Sequence, residues 1–503
     1  MLFYSIIYGG AILVFSSLFF LCIFLPLNLF TYYIPSKNST RNVIMLIFSL
    51  VFYAWGEPLY VFLLLFMTFA CWYCALQIEK NKETDSKKSK LFLIIACVVA
   101  LGLIGVFKYS TFFIESTLSL FGSEKEITPL ALPIGISFYT FQLLTYVVDV
   151  YKGDAAAQRK YTDLLLYASL FHQCIAGPIV RYSDIANEIL DRKPDMEDFN
   201  KGVMRFSAGL AKKVLLSNQC GSFADTLVLS DAALADSQLL AENLETLSSA
   251  SAVTLWLGML FYMLQIYLDF SAYSDMAIGM GLMTGFHYKE NFDYPYISSS
   301  VSEFWRRWHI SLGTFFKDYV YIPLGGNRKG NVRTVINLFV VWALTGLWHG
   351  ASWNYVLWGL YFFIFISLEK LYLAKLFKKL PSFAGHIYLL IIVYFGWVLF
   401  RFENTEIMST VLKGMFGLNS NPFATREIMM YLGDNFFFIV IAILACTPIV
   451  KTANRFINYY SKRIPAVNYA YAVFRTAIPA VLVLLSAICL VGDSYNPFLY
   501  FRF

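Results

Sequence analysis

Apolar segments follow one another along almost the whole chain, with no polar linker long enough to separate two soluble domains. They fall at 11–33, 42–55, 58–78, 91–108, 132–150, 203–217, 252–286, 335–350, 354–370, 386–403, 434–450 and 470–491. A bilayer core needs about 20 helical residues, so the pattern predicts one all-α polytopic membrane domain of about 11 or 12 crossings. The shortest segments read as half-helices, and 164–180 as a further span or a re-entrant piece. Composition agrees: 58% of the 503 residues are hydrophobic, only 14% are charged, and mean hydropathy is +0.60. Soluble domains carry about a quarter charged residues. The run from Leu13 to Leu29 is too long for the apolar region of a cleaved signal and has no basic stretch before it, so it reads as a first span.

Charge in the short loops orients these spans. Lys37 and Arg41, the lysines at 80, 82, 87, 88 and 90, then Lys152, Arg159 and Lys160 fall on one side if the N-terminus is outside. Lys370, Lys375, Lys378 and Lys379 join them, as do Lys451, Arg455, Lys462 and Arg463. The stretch 218–250 carries Asp225, Asp231, Asp236, Glu242 and Glu245 without Lys or Arg, which suits an extracytoplasmic insert. The same count puts the C-terminus outside. The net charge of +6 therefore reports topology, and no nucleic-acid partner is expected. The cysteines lie mostly in apolar stretches. Cys71 and Cys74 form CWYC with no second pair and no histidine nearby, so they read as packing, and no metal is expected.

The segment 287–333 breaks the apolar pattern. It interleaves Lys289, Glu290, Asp293, Glu303, Arg306, Arg307, His309, Lys317, Asp318, Arg328, Lys329 and Arg333 with Phe, Trp and Tyr. It is too polar to span and too aromatic for a free loop, which predicts amphipathic helices at the cytoplasmic interface. LGGNRKGN (324–331) reads as a turn. It lacks the GK[ST] ending of a phosphate-binding loop.

Two of the five histidines stand out. His349 ends VINLFVVWALTGLW and opens HGASWNYVLWGLYFF, so apolar residues flank it on both sides. An ionisable group at such depth is costly unless it lines a polar cavity or has a partner. His309 lies in EFWRRWHISLG (303–313) beside two arginines and two tryptophans. An imidazole can take a proton near neutral pH, which acyl transfer to a hydroxyl requires. The competing reading is a histidine satisfied by a neighbouring helix. Asp269 and Asp275, six apart on DFSAYSD, do not share a helix face; pairing with Arg306, Arg307 or Lys317 is expected rather than catalysis. Trp305, Trp308, Trp348 and Trp353 read as tunnel walls and belts.

Several stretches together carry a resemblance. They are LPIGISFYTFQLLTYVVDVYKGD (132–154), IAGPIVRYSDI (175–185), YLDFSAYSDMAIGMGLMTGF (267–286), ENFDYPYISSSVSEFWRRWHISLGTFFKDYVYIPLGGNRKG (290–330), GLWHGASWNYVLWG (346–359) and the terminal PFLYFRF (497–503). The chain resembles the membrane-bound O-acyltransferases, in the branch of the alginate O-acetylation protein. One departure is His172, where many relatives carry proline. The resemblance implies that fold, with re-entrant and interfacial helices around a central tunnel and His349 at its narrowest point. It places the family's invariant histidine on His349 and its second histidine on His309.

The resemblance further implies acetyl-coenzyme A as acyl donor, with no covalently bound cofactor. Arg306, Arg307, Lys317 and Trp305 are the candidate donor-binding residues, the arginines through phosphate contacts. Interfacial snorkelling is their plainer reading. Tyr500 is implied as an acyl acceptor in the tail 497–503, although the same tyrosine suits an aromatic anchor. The expected partners are an exported SGNH-type acetyltransferase, an extracytoplasmic polysaccharide and membrane lipid. D-alanyl transfer to teichoic acid is the nearest alternative, and a transporter with its histidines in a proton path is an alternative of another class.

Overall fold

The computed structural model describes residues 13–122, 127–128, 130–175, 177–373, 381–492, 495–497 and 499. Among them regular structure is helical, with no strand. Lipid offers no partner for a backbone N–H or C=O, so a spanning chain satisfies those groups within each helix. Among the described residues, seven helices are long and apolar enough to cross a bilayer: Val61–Asn81, Ser86–Leu120, Ala252–Met283, Gly330–His349, Trp353–Leu373, Ser382–Arg401 and Pro465–Gly492. The bent pair Arg426–Asp434 and Phe436–Ala445 makes an eighth. Other expected segments form helices too: Asn38–Gly56, Ile136–Lys152 and Met196–Ala211, for example. Two of these have 17 and 16 residues, short of a full crossing.

The chain divides into two compact units. The first comprises Met1–Leu210 and Tyr273–Glu290. Its centre is the Ile136–Lys152 helix, buried along nearly its whole length between Gly135 and Gly153, both left-handed. At Gly135 a side chain would also run into the Cys174 carbonyl, so only glycine fits that helix start. Cys71 and Cys74 are buried and unlinked, as packing residues would be. Asp275 pairs with Arg205 at 2.8 Å.

The second unit comprises Ala211–Ala272 and Asn291–Phe503 and carries both singled-out histidines. Its core is aromatic, with Trp308, Trp358, Trp397, Tyr262 and Phe400 among the buried rings. The acidic stretch 218–250 is not an open loop. It forms the helices Asn218–Val228, Asp231–Ala235 and Leu240–Ser249, and the buried Arg401 guanidinium reaches Asp225 at 3.1 Å. Within the segment 287–333, this unit forms the short helices Val301–Arg307 and Ile310–Phe316, a π-turn at Lys317–Tyr321, and a turn over 322–329, where one was expected at 324–331; Gly330 already opens the next helix.

The expected pairing of Asp269 and Asp275 with Arg306, Arg307 or Lys317 does not occur. Asp269 meets Lys213 at 2.8 Å, with both side chains buried, and Asp275 meets Arg205. A buried carboxylate takes the nearest cation its helix packing supplies. Here that cation comes from the segment just before the acidic insert, which local sequence spacing does not reveal.

Candidate active site

The Gly330–His349 helix sets the site. Leu338, Val341, Trp342, Thr345 and His349 recur at helical spacings of three and four and therefore share one face. All five line one cavity of about 990 Å³. At 1.5 Å per residue the stripe runs about 16 Å along the helix, ending at His349.

The helix stops at His349 because the chain reverses at once. Gly350 to Ser352 connect it to the Trp353–Leu368 helix. The hairpin is held by two glycines: a side chain on Gly346 would strike the Tyr355 carbonyl, and one on Gly359 the Trp342 carbonyl. That close approach fixes where the helix ends, and with it the position of His349. Its ring meets Trp348 and Trp358 with centroids 4.9 Å away, and Phe400 at 5.3 Å, all edge-on. His349 is 4% exposed.

His309 lines the same cavity and is 2% exposed. Its backbone is left-handed, at φ 45° and ψ 55°, where the chain turns between the Val301–Arg307 and Ile310–Phe316 helices. A non-glycine residue in that region costs about 1–3 kcal/mol and persists only where its surroundings hold it. Asn291 does so: its carbonyl accepts the Ile310 N–H at 2.9 Å, and its side chain accepts the Ser311 N–H at 3.1 Å. Burial pushes the His309 imidazole down to about 3, so it is neutral at physiological pH. Trp348 stands next to both imidazoles, with its ring 5.7 Å from His309.

The other end of the cavity is charged. Arg306, Lys317 and Lys370 line it and are exposed, and Lys370 donates to the Tyr321 hydroxyl at 2.9 Å. Trp305 lines it as well, wedged edge-on against Trp342 and Phe362 at 4.9 Å. Arg307 does not line the cavity. Its guanidinium pairs with Glu303 at 2.9 Å and with Asp293 at 3.6 Å. The i,i+4 spacing of Glu303 and Arg307 carried that signal in the sequence.

Lys370 was visible only as a loop charge, and Glu369 carried no signal. Glu369 is buried; it accepts the Val301 and Ser302 N–H groups at 2.6 and 2.8 Å and so fixes the start of the helix that bears Trp305 and Arg306. Trp353, grouped above with the tunnel walls and belts, is 58% exposed, on the belt side of that pair. Tyr500 lies outside the described residues.

The arrangement has the parts that acyl transfer needs: two buried imidazoles, aromatic rings packed around them, and a cationic entrance. Comparison with known proteins bears on it directly. The model of the membrane-bound O-acyltransferase family matches residues 155–409. The chain is 35% identical to a probable alginate O-acetylase of Pseudomonas putida, over 98% of this chain and 100% of that protein. It is 39% identical to a probable alginate O-acetylase of Pseudomonas aeruginosa, over 81% of this chain and 76% of the other. It is also 33% identical to a peptidoglycan O-acetyltransferase of Helicobacter pylori, over 81% and 80%. The match covers both histidines and every residue of the cavity. This chain belongs to the membrane-bound O-acyltransferase family and is a multi-pass membrane acyltransferase.

Proposed function

We propose that this protein takes an acetyl group from acetyl-coenzyme A on the cytoplasmic side and delivers it for O-acetylation of an extracytoplasmic polysaccharide. The observation that carries the reading is the single cavity that joins exposed Arg306, Lys317 and Lys370 to buried His309 and His349. Coenzyme A presents phosphates, which cations at an open mouth attract and hold. Trp305 offers an indole face beside them. The loop charges that orient the spans put Lys370 and the 287–333 segment on the cytoplasmic side, which is where the donor is made available. The names of the relatives support acetyl as the group and a glycan as the acceptor.

His349 is the general base. Its imidazole removes the proton from the acceptor hydroxyl as that oxygen attacks the thioester carbonyl. A C–O bond forms, the C–S bond breaks, and the proton passes from the imidazolium to the departing thiolate, giving coenzyme A. The first acceptor is Tyr500 in the tail. A phenol has an ordinary pKa of about 10, so it needs such a base. An exported SGNH-type transferase then moves the acetyl ester to a polysaccharide hydroxyl, and Tyr500 recovers its proton.

The test uses purified protein in lipid vesicles with acetyl-labelled coenzyme A. Label on the C-terminal peptide of the wild type, and none on the Tyr500→Phe protein, is the expected result. Labelling from a D-alanyl carrier instead of acetyl-coenzyme A would replace the donor. Normal polysaccharide acetylation by Tyr500→Phe would remove the relay.

A further inference from the structure

A second cavity in the same unit, of about 680 Å³, is lined by Asp231, Tyr262, Tyr355, Phe400, Arg401 and Leu499 among others. Phe400 is the ring that meets His349 edge-on at 5.3 Å, so this cavity lies behind the wall of the catalytic imidazole. Leu499, at 2% exposure, brings the C-terminal segment into that wall.

The segment is held there by charge. The buried Lys213–Asp269 pair, with side chains 1% and 0% exposed, grips it from both partners. The Asp269 carboxylate accepts the Leu499 N–H at 3.1 Å, and the Lys213 ammonium donates to the Pro497 carbonyl. Nearby, Asp225 accepts the Tyr495 hydroxyl at 2.7 Å while pairing with Arg401 at 3.1 Å. Asn218 donates to the Asn496 side chain at 3.2 Å. A buried ion pair is a poor way to gain stability, since apolar residues of similar volume serve as well. Here the pairs spend their remaining hydrogen-bonding capacity on three described residues of the tail, Tyr495, Pro497 and Leu499.

We infer that the Lys213–Asp269 and Arg401–Asp225 pairs are positioning residues that seat the C-terminal segment as a wall of the cavity behind His349, and so hold the chain's own end ready for transfer. The role in transfer rests on the relay proposed above; the seating itself does not. Tyr500 follows Leu499 by one peptide bond.

The experiment measures seating and transfer separately. The variant Lys213→Met/Asp269→Leu removes both charges together and leaves neither one buried alone, so it is expected to keep its thermal midpoint. Seating is read from a Leu499→Cys probe treated with a hydrophilic maleimide, with the label located on the C-terminal peptide by mass spectrometry. Releasing the clamp should raise labelling about tenfold or more, because a buried thiol reacts only through local opening. Acetyl transfer to polysaccharide, measured without the probe, should fall about 10²-fold, the scale of a misplaced reacting group. Binding of coenzyme A at the other cavity should stay unchanged. Unchanged labelling overturns the seating. Faster labelling with normal transfer overturns the positioning role. Failure of the relay shows elsewhere, as normal transfer by Tyr500→Phe.

Discussion

The two ends of the 990 Å³ cavity are built on opposite principles. The His349 end is a buried cage: one long helix, a hairpin without room for side chains at Gly346 and Gly359, and rings edge-on around the imidazole. The Arg306–Lys317–Lys370 end is exposed, made of long side chains on one short helix and two π-turns. Packed rings fix a reacting group to within fractions of an ångström, at the cost of tolerance to change. Exposed cations fix little, yet they attract an anionic ligand from a distance and survive substitution. Under the proposed function, the contrast separates the chemical step from the capture step, and each has its own way of failing.

The largest effect should come from the caged end. His349→Ala is expected to lower acyl transfer about 10²–10⁴-fold, the contribution of a general base, with expression and membrane insertion unchanged. A turnover assay on matched amounts of folded protein checks it; activity within a few-fold of wild type would make the cage a packing feature. Next is Gly346→Ala. The added methyl strikes the Tyr355 carbonyl, so the two helices must part. Overpacking of this kind costs about 1–3 kcal/mol, read as a lower thermal midpoint in detergent. Activity should fall more steeply than stability, because His349 ends the helix that moves.

The open end should respond more gently and in a different parameter. Replacing Arg306, Lys317 and Lys370 together by glutamine should raise the KM for donor about tenfold and leave kcat near its wild-type value. The wild-type KM should rise with salt, since exposed charges are screened, and the triple variant should lose that dependence. Arg307→Gln serves as the control. Its charge is already committed to Glu303 and Asp293, so it should alter stability and leave the salt response in place. A kcat effect from the triple variant would collapse the distinction between the ends.

Legibility in the sequence followed the same division. His349 was readable because an ionisable residue among apolar neighbours is conspicuous, and its helix face follows from spacing alone. The aromatic richness of 303–310 was readable, but which rings form the cage was not. Trp342 and Trp358 come together only through the hairpin, and nothing local marks Gly346 and Gly359 as contact points. The charged groups were read least well. Asp269 and Lys213 are far apart in sequence, and Lys370 reaches the cavity mouth from a different helix than Arg306. Long-range pairing depends on which helices pack together, and hydropathy does not encode that.

A histidine outside the cavity carries the smallest expected effect. His287, in the first unit, sits between two carboxylates: Glu188 at 2.8 Å and Asp198 at 2.9 Å. Lys201 also donates to Asp198, at 3.3 Å. Partial burial lowers the His287 pKa, but the hydrogen bonds to Asp198 and Glu188 outweigh it and leave the value raised above 6.5. A raised folded value means that the folded protein binds this proton more tightly than the unfolded chain. The stabilisation is therefore complete below about pH 6.5, the unfolded value, and is lost as pH rises through the folded one. The ring is 53% exposed, so solvent screening keeps the effect below about 1 kcal/mol. Thermal midpoints of wild type and His287→Gln should differ most at pH 5.5 and converge by pH 8.5, with no accompanying change in donor KM. A difference that stays constant across that range would mean that His287 acts by packing. An effect on KM would tie this clasp to donor capture.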